Sequence, residues 1–497
     1  MAKTSIINQT DEALKEIDLT QAAQESAPPV NGSTAINSTN GSAANNSRNN
    51  SSVARPQSDS DNSPELNRLL EKIETRAATI GVLGMGYVGL PLATAFANAG
   101  FNAIGFDTKT SIVEALQNGE SHIGDVPSST IQNLRKDDKF QATTDSRLLR
   151  TCDAAIICVP TPLTGMREPD LGAVRAACAM VRDSLHPGQL VILESTTYPG
   201  TTDEVVRPIL EETGLIAGRD FFLAFSPERI DPGNEQYPIN KVPKVVGGHT
   251  AACGQAAVKL YATVVEEPVP VSSTRAAELT KLLENIFRCV NIALVNEMAM
   301  LCDRMKIDIW EVIGAAATKP YGFTKFLPGP GLGGHCIPID PFYLSWKARE
   351  YDFQTNFIEL AGEVNRAMPH YVIEKIMRAL NDEGKAVRGA TIGLLGMSYK
   401  PNVGDCRESP SLRVGELLLE LGAKIVYNDP HVESVRISGQ TFTSQALEAS
   451  TGADCTVLLT DHRDYDYEAI AGAASLIVDT RNAFKDVQQP KAHIVKL

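Results

Sequence analysis

Short, unbroken apolar runs alternate along this 497-residue chain with longer stretches in which apolar residues recur every three or four positions. Ala78-Thr79-Ile80-Gly81-Val82-Leu83, Asn102-Ala103-Ile104-Gly105-Phe106, Ala154-Ala155-Ile156-Ile157-Cys158-Val159, Gln189-Leu190-Val191-Ile192-Leu193-Glu194 and Phe221-Phe222-Leu223-Ala224-Phe225 are such runs. They read as strands of a parallel sheet covered on both faces, and strand alternating with helix predicts an α/β, doubly wound parallel-sheet architecture. From Ala276 to Met305 there is neither Pro nor Gly, and Leu279, Leu282, Leu283, Ile286, Val290, Ala293 and Leu294 keep helical spacing, which predicts one long helix. Pro341 to Leu380 reads as further helix. Then Ala390-Thr391-Ile392-Gly393-Leu394-Leu395-Gly396-Met397-Ser398-Tyr399 repeats Ala78-Thr79-Ile80-Gly81-Val82-Leu83-Gly84-Met85-Gly86-Tyr87 nearly residue for residue, and strands at Lys424–Asn428 and Ser475–Asp479 follow. The chain opens a sheet twice.

Before the first strand the pattern is missing. Residues 1–63 are rich in Asn, Ser, Ala and Gln and lack aromatic residues, too little apolar surface to offset the entropy of ordering, and are expected to be disordered. Pro64 to Ala77 reads as a short polar helix. No apolar signal core follows Met1, so the expected compartment is the cytoplasm, and no uninterrupted apolar run of about 18 residues predicts a membrane span. Nine cysteines without a Cys-x-x-Cys pair argue against a disulfide framework and against a zinc site; no metal is expected. A formal net charge of −14 argues against nucleic-acid binding while allowing a local positive pocket for a small anion.

The first strand runs into Gly84-Met85-Gly86-Tyr87-Val88-Gly89 and then a helical pattern, and the second strand ends in Asp107. Strand, G-x-G-x-x-G, helix and a carboxylate at that spacing form the dinucleotide-binding fingerprint of a Rossmann domain: glycines admit a pyrophosphate to the helix N-terminus, and Asp107 accepts from the adenosine ribose. Repulsion between Asp107 and a 2′-phosphate favours NAD over NADP. Ligands of such sheets lie beyond the carboxyl ends of strands, which directs Thr161, Thr196 and Glu228 toward the cofactor cleft; Ser and Thr at these places equally serve as helix caps. In the second copy Ser398 and Pro401 replace the second and third glycines, so close pyrophosphate approach is lost, while Lys400, Arg407 and Arg481 at the loops suit a diphosphate. The expectation is two Rossmann-like domains, 64–272 and 386–497, joined by a long central helix and a helical middle domain, 273–385. A helix of that length suits a spine between domains or a dimer interface, and both are expected.

Between the two copies lies Pro328-Gly329-Pro330-Gly331-Leu332-Gly333-Gly334-His335-Cys336-Ile337-Pro338-Ile339-Asp340-Pro341. So many backbone breakers make a shaped loop. By itself it is equally a tight structural turn with a buried thiol or a loop presenting Cys336 as a nucleophile. On the long helix, Lys281 and Asn285 are four apart and share a face, an arrangement that ordinary solvated surface also produces.

Together these residues resemble the UDP-glucose/GDP-mannose dehydrogenase family, the NAD-dependent nucleotide-sugar 6-dehydrogenases. The resemblance runs from Ile80 to Arg481. It rests on Gly84–Gly89, Ser226-Pro227-Glu228-Arg229, Glu278-Leu279-Thr280-Lys281-Leu282-Leu283-Glu284-Asn285, Gly333-Gly334-His335-Cys336 with Asp340, and Lys400-Pro401-Asn402-Val403-Gly404-Asp405-Cys406-Arg407-Glu408-Ser409-Pro410. Glu228-Arg229-Ile230-Asp231-Pro232-Gly233-Asn234 and the loop through Pro341 look like the UDP-N-acetylglucosamine 6-dehydrogenase branch, with UDP-N-acetylmannosamine and UDP-glucose as alternative substrates.

The resemblance implies a four-electron oxidation of C6 through a thiohemiacetal and a thioester on Cys336, supplying a uronic-acid sugar nucleotide for surface polysaccharide. It implies catalytic roles for Cys336, Lys281, Asn285, Asp340 and Glu228. Gly84, Gly86, Tyr87, Val88, Gly89, Asp107, Thr161, Thr196 and Arg407 are implied as cofactor contacts. Glu228, Lys281, Asn285, Lys325, Phe326, Leu327, Pro328, Gly329, Gly333, Lys400 and Arg481 are implied as substrate contacts. Thiolate is the competent nucleophile, so the site is expected to depress the Cys336 pKa, with Lys281 the nearby cation. Many UDP-glucose members carry Lys three residues after the cysteine; Ile339 stands there here and argues against UDP-glucose.

Overall fold

The structure, a computed structural model, describes residues 63–229 and 239–497. The rest of the polar tail and the 230–234 part of the branch-specific motif lie outside the described residues. The helix expected before the first strand runs Pro64–Glu74, with the Ser63 side chain accepting from Leu66 N at 3.1 Å and Leu66, Leu69 and Ile73 buried.

The first sheet has eight strands: β1 (Thr79–Leu83), β2 (Asn102–Phe106), β3 (Phe140–Thr143), β4 (Ala154–Ile157), β5 (Leu190–Leu193), β6 (Phe222–Phe225), β7 (Lys244–Gly248) and β8 (Pro268–Val271). Their order is β3-β2-β1-β4-β5-β6-β7-β8. Alternate residues serve opposite faces: Ile80, Val82, Ile156 and Ile192 join one buried cluster, while Leu83, Ile157, Val191 and Leu193 join the other. Burial on both faces is why these strands read as unbroken apolar runs. The sheet is parallel from β3 through β6, as the doubly wound architecture requires, and two further strands extend it. β7 runs antiparallel to β6, and β8 pairs parallel with β7. Neither strand shows in the pattern, because β7 begins on a lysine and ends on two glycines, and β8 is Pro-Val-Pro-Val at the sheet edge, where a missing N–H costs no ladder bond.

The second sheet, in order β10-β9-β13-β14-β15, is parallel: β9 (Thr391–Leu395), β10 (Lys424–Asn428), β13 (Cys455–Leu458), β14 (Leu476–Asp479) and β15 (His493–Lys496). A hairpin of β11 (Ser434–Ile437) and β12 (Gln440–Thr443) stands beside it. In both sheets the strand order reverses beside the opening strand, β1 against β4 and β9 against β13, where an open sheet forms its crevice.

A 32-residue helix, Thr274–Met305, links the sheets. Its length and composition would also allow a membrane crossing, and of its most apolar window only 33% is buried. Two of its acidic residues, Glu278 and Asp303, are however committed to tertiary bonds. Glu278, fully buried, accepts from Gly200 N at 2.6 Å, Thr202 N at 2.8 Å and Thr202 Oγ1 at 2.7 Å, which pins the helix to the first sheet's loops. Asp303 accepts from Lys375 Nζ and Tyr371 Oη, both at 2.6 Å, which pins its far end to the helix Asn356–Asp382. The continuous helix expected from Pro341 is in fact two, Asp340–Ala348 and Asn356–Asp382. Asp352 adopts a left-handed φ of 52° between them, a helix stop that no glycine or proline announces.

Candidate active site

At the end of β1 the three fingerprint glycines do different work. Gly84 has φ +95°, and a Cβ there would sit 2.7 Å from the Cys158 carbonyl oxygen. A Cβ on Gly89 would sit 1.8 Å from the Gly84 oxygen, so this glycine packs the turn onto its helix, below the surface. Gly86 meets nothing within 4 Å, which leaves its backbone open to a ligand. Asp107 accepts from Met85 N and Lys109 N, each at 2.9 Å, and so holds both edges of the turn while facing the same space. The open backbone at Gly86 and this carboxylate fit a dinucleotide.

The cysteine loop is fixed from three sides. Gly329 N donates to Asn296 Oδ1 at 3.0 Å, and Asn296 Nδ2 donates to Asn365 Oδ1 at 2.9 Å, so one buried amide ties the loop to both long helices. Gly334, at φ +90°, donates its N–H to the Arg407 carbonyl at 3.0 Å. A Cβ on Gly333 would fall 2.6 Å from Tyr399 Cβ, so the loop needs glycine to lie against the second sheet's opening turn. Beyond it the Cys336 carbonyl accepts from Ile339 N at 3.1 Å and Asp340 N at 2.8 Å, a turn that leads into the helix Asp340–Ala348 and brings Cys336 and Asp340 to one face.

These parts surround one cavity of about 1030 Å³. From the first sheet it is lined by Gly84, Gly86, Tyr87, Val88, Asp107, Thr161, Thr196 and Glu228; from the spine by Lys281 and Asn285; from the loop by Leu327, Gly329, Gly333, Cys336 and Asp340; and from the second sheet by Lys400, Arg407 and Arg481. The Arg407 guanidinium lies 5.1 Å from the Tyr87 ring centroid, a cation–π contact bridging the two sheets' loops. Arg481, held by Asp461 at 3.0 Å, packs its guanidinium where a Cβ on Gly329 would be.

Three implied substrate contacts are placed elsewhere. Lys325 is exposed, Pro328 is buried, and Phe326 turns its ring to Phe287 at 5.7 Å; none of them lines the cavity. Residues not singled out from the sequence do line it, among them Glu194, Arg229, Arg288, His335 and Tyr399. Glu194 carried a signal, as the polar end of an apolar run at a strand's carboxyl end. Arg288, one turn beyond Asn285 on the spine, carried none.

The expected acidity of Cys336 is reversed. The thiol is open to the cavity but lies deep within it, and burial, then the nearby Asp340 charge, pushes it up to about 11 against the pull of Lys281 and Arg407. Burial likewise raises the Asp340 carboxyl to about 7, opposed by Lys281 and by the hydrogen bond from Asn285 Nδ2 at 2.6 Å. The site at rest is a neutral thiol beside a carboxyl group balanced near neutrality.

Sequence models of three domains match the chain in this order: the NAD-binding domain of the UDP-glucose/GDP-mannose dehydrogenase family over residues 78–265, its central domain over 275–367, and its UDP-binding domain over 393–486. This chain belongs to that family. It is an NAD-dependent nucleotide-sugar dehydrogenase built on two Rossmann-like sheets. Among its relatives, Protein CapL of Staphylococcus aureus is 35% identical over 412 residues, covering 81% of this chain and 95% of that protein. The UDP-N-acetyl-D-mannosamine dehydrogenase of Pyrococcus horikoshii is 34% identical over 414 residues, covering 82% of this chain and 96% of its own. A solved structure of UDP-D-ManNAc dehydrogenase from Pyrococcus horikoshii superposes with a TM-score of 0.77 at 32% identity, covering 84% of this chain and 98% of that one.

Proposed function

We propose that this dehydrogenase oxidises C6 of UDP-N-acetylglucosamine to the uronic acid in two successive steps, with Cys336 holding the carbon between them. One observation carries the reading: Cys336 and Asp340, with Lys281 and Asn285, stand in a single cavity between the ligand-facing ends of two sheets. Bound NAD supplies the hydride acceptor for each oxidation. The chain's own residues do the rest. Asp340, near neutrality, takes the thiol proton as sulfur bonds to the aldehyde carbon, and Lys281 and Asn285 stabilise the oxygen of the resulting thiohemiacetal. After the second hydride leaves, water adds to the thioester, the carbon–sulfur bond breaks and the thiol recovers its proton. The sum is one alcohol, two NAD and one water giving a carboxylate, two NADH and three protons.

Lys400 and Arg481 serve the diphosphate, and Arg407 the cofactor. The sugar assignment is supported by the sequence of the cysteine loop and by Ile339, whose side chain packs into the first sheet's core where many UDP-glucose enzymes place a lysine. The names of the relatives favour UDP-N-acetylmannosamine as a second reading. Incubating the protein with NAD and each purified UDP-sugar decides between them: two NADH per UDP-N-acetylglucosamine is expected, and turnover with another sugar alone overturns the assignment.

We also assign residues 64–272 to the cofactor, 386–497 to UDP and 273–385 to the cysteine loop and to dimerisation. Leu283, Phe287, Leu294, Leu301 and Met305 are exposed and recur every four or seven residues along the spine helix, an apolar stripe suited to a second copy of this chain. Nine unpaired cysteines suit the reducing cytoplasm, where we place the enzyme as a supplier of uronic-acid precursors for surface polysaccharide.

A further inference from the structure

Behind the cavity wall lies a cluster of charges that the reaction as written does not use. Lys244, the first residue of β7, is 5% exposed, and its ammonium lies 2.9 Å from Glu228 Oε2 and 3.1 Å from Glu194 Oε2. Both carboxylates border the cavity, Glu194 just past β5 and Glu228 just past β6. The reversed direction of β7 makes this possible: Phe225 pairs with Gly247, and continuing that antiparallel register sets Lys244 opposite Glu228. Tyr261 closes the far side, its hydroxyl donating to Glu194 Oε1 and its ring centroid 5.2 Å from the ammonium. The Cys158 thiol and the Arg229 N–H, which donates to Glu228 Oε1 at 2.7 Å, complete the surroundings.

Two carboxylates and one ammonium in a buried site leave one negative charge in excess. Lys244 cannot fully satisfy both carboxylates, so the pair binds protons as a unit. Burial, opposed by Lys244, raises the Glu194 carboxyl to about 7, whereas Glu228 has the shorter ion pair and a backbone N–H.

We propose that Lys244 is a positioning residue of the oxidation, fixing Glu228 as a carboxylate at the cavity wall and leaving Glu194 as the member of the pair that holds and releases a proton. The site then has two acid–base centres on different walls, Asp340 beside the cysteine and the glutamate pair beside the cofactor side. This rests on the dehydrogenase reading above.

The test uses the full-length enzyme and the pH profile of kcat/KM, after wild-type turnover has been established with a UDP-sugar. Failure of that first measurement counts against the dehydrogenase reading alone. In Lys244→Met the pair loses its cation, and the acidic limb moves up by about one pH unit or more, so that raising the pH restores much of the rate. Lys244→Arg keeps the charge and the wild-type limb. Glu194→Gln removes the competitor for the ammonium and takes the Glu194 proton out of that limb, which then falls with the single proton of Asp340, and it decides the matter should Lys244→Met fail to fold. A wild-type limb in Lys244→Met with only a lowered melting temperature, or an unchanged limb in Glu194→Gln, overturns the proposal.

Discussion

Replacing Asp340 by Asn separates two ways of making a sulfur nucleophile. The change keeps the size of the buried side chain and removes the carboxylate that faces Cys336. In the wild type the thiol is raised to about 11 and Asp340 to about 7, so a carboxylate present above neutrality can take the thiol proton at the moment of attack. Losing the Asp340 charge relieves part of the thiol's rise, and the variant's thiol ionises to between roughly one part in ten thousand and one in a thousand at pH 7. With no internal base, attack must draw on that fraction. Aldehyde oxidation is therefore expected to fall by about 100-fold or more at pH 7 and to climb about tenfold per pH unit up to pH 9, while the wild type levels off above pH 7. Stopped-flow NADH formation from the 6-aldehyde, recorded across that range, measures both slopes. A variant that keeps the wild-type profile and a rate within a few-fold of it refutes the assignment of Asp340 as proton acceptor.

Cys336→Ser should bind UDP-sugar normally by calorimetry and yield at most one NADH per sugar, with the aldehyde trapped by hydroxylamine; full four-electron turnover would refute the covalent route. Gly333→Ala puts a methyl group 2.6 Å from Tyr399 Cβ and 3.0 Å from the Glu408 oxygen, an overpacking cost of about 1–3 kcal/mol that shifts the cysteine loop. Its kcat should drop at least about tenfold while NAD binding, followed by fluorescence, is kept; wild-type kcat would show that the close approach is not needed. Leu283→Asp with Phe287→Asp, both exposed on the spine, should move the protein from dimer to monomer in sedimentation velocity; a wild type that already sediments as a monomer contradicts the interface.

What could be read from the chain alone was local. The turn at Gly84 and Gly89, the two-sided burial of β1, β4 and β5, the length of the spine helix and the breakers around Cys336 all declare themselves within a few residues. What could not be read depends on partners distant in sequence. The acidity of Cys336 follows from how much protein folds over it and from Asp340 outweighing Lys281, and no spacing encodes depth of burial. Phe326 sits beside residues that do reach the cavity, but its ring finds Phe287 on the spine. The break between the helices Asp340–Ala348 and Asn356–Asp382 was hidden because an aspartate takes the left-handed position where a glycine would have shown it. Nothing local to Lys244 announces the two glutamates between which the reversed strand β7 sets it.

The repeated opening motif allows a different kind of count. A carboxylate offers about four lone-pair sites. In the second sheet Asp429, 3% exposed, accepts from Met397 N, Ser398 N, His431 N and His462 Nε2, the last identified as the protonated nitrogen because His462 Nδ1 accepts from Asn402 N at 3.0 Å. Three of these donors converge on Oδ2 and one meets Oδ1, so both oxygens are engaged from within the chain. Asp107, at the matching place in the first sheet, accepts from two backbone N–H groups among the described residues, which leaves two sites, the number that a vicinal diol can use. The halves of this enzyme keep the same aspartate after the same strand, and in the second a histidine brought from elsewhere in the chain takes up the oxygen that the first leaves open to a ligand.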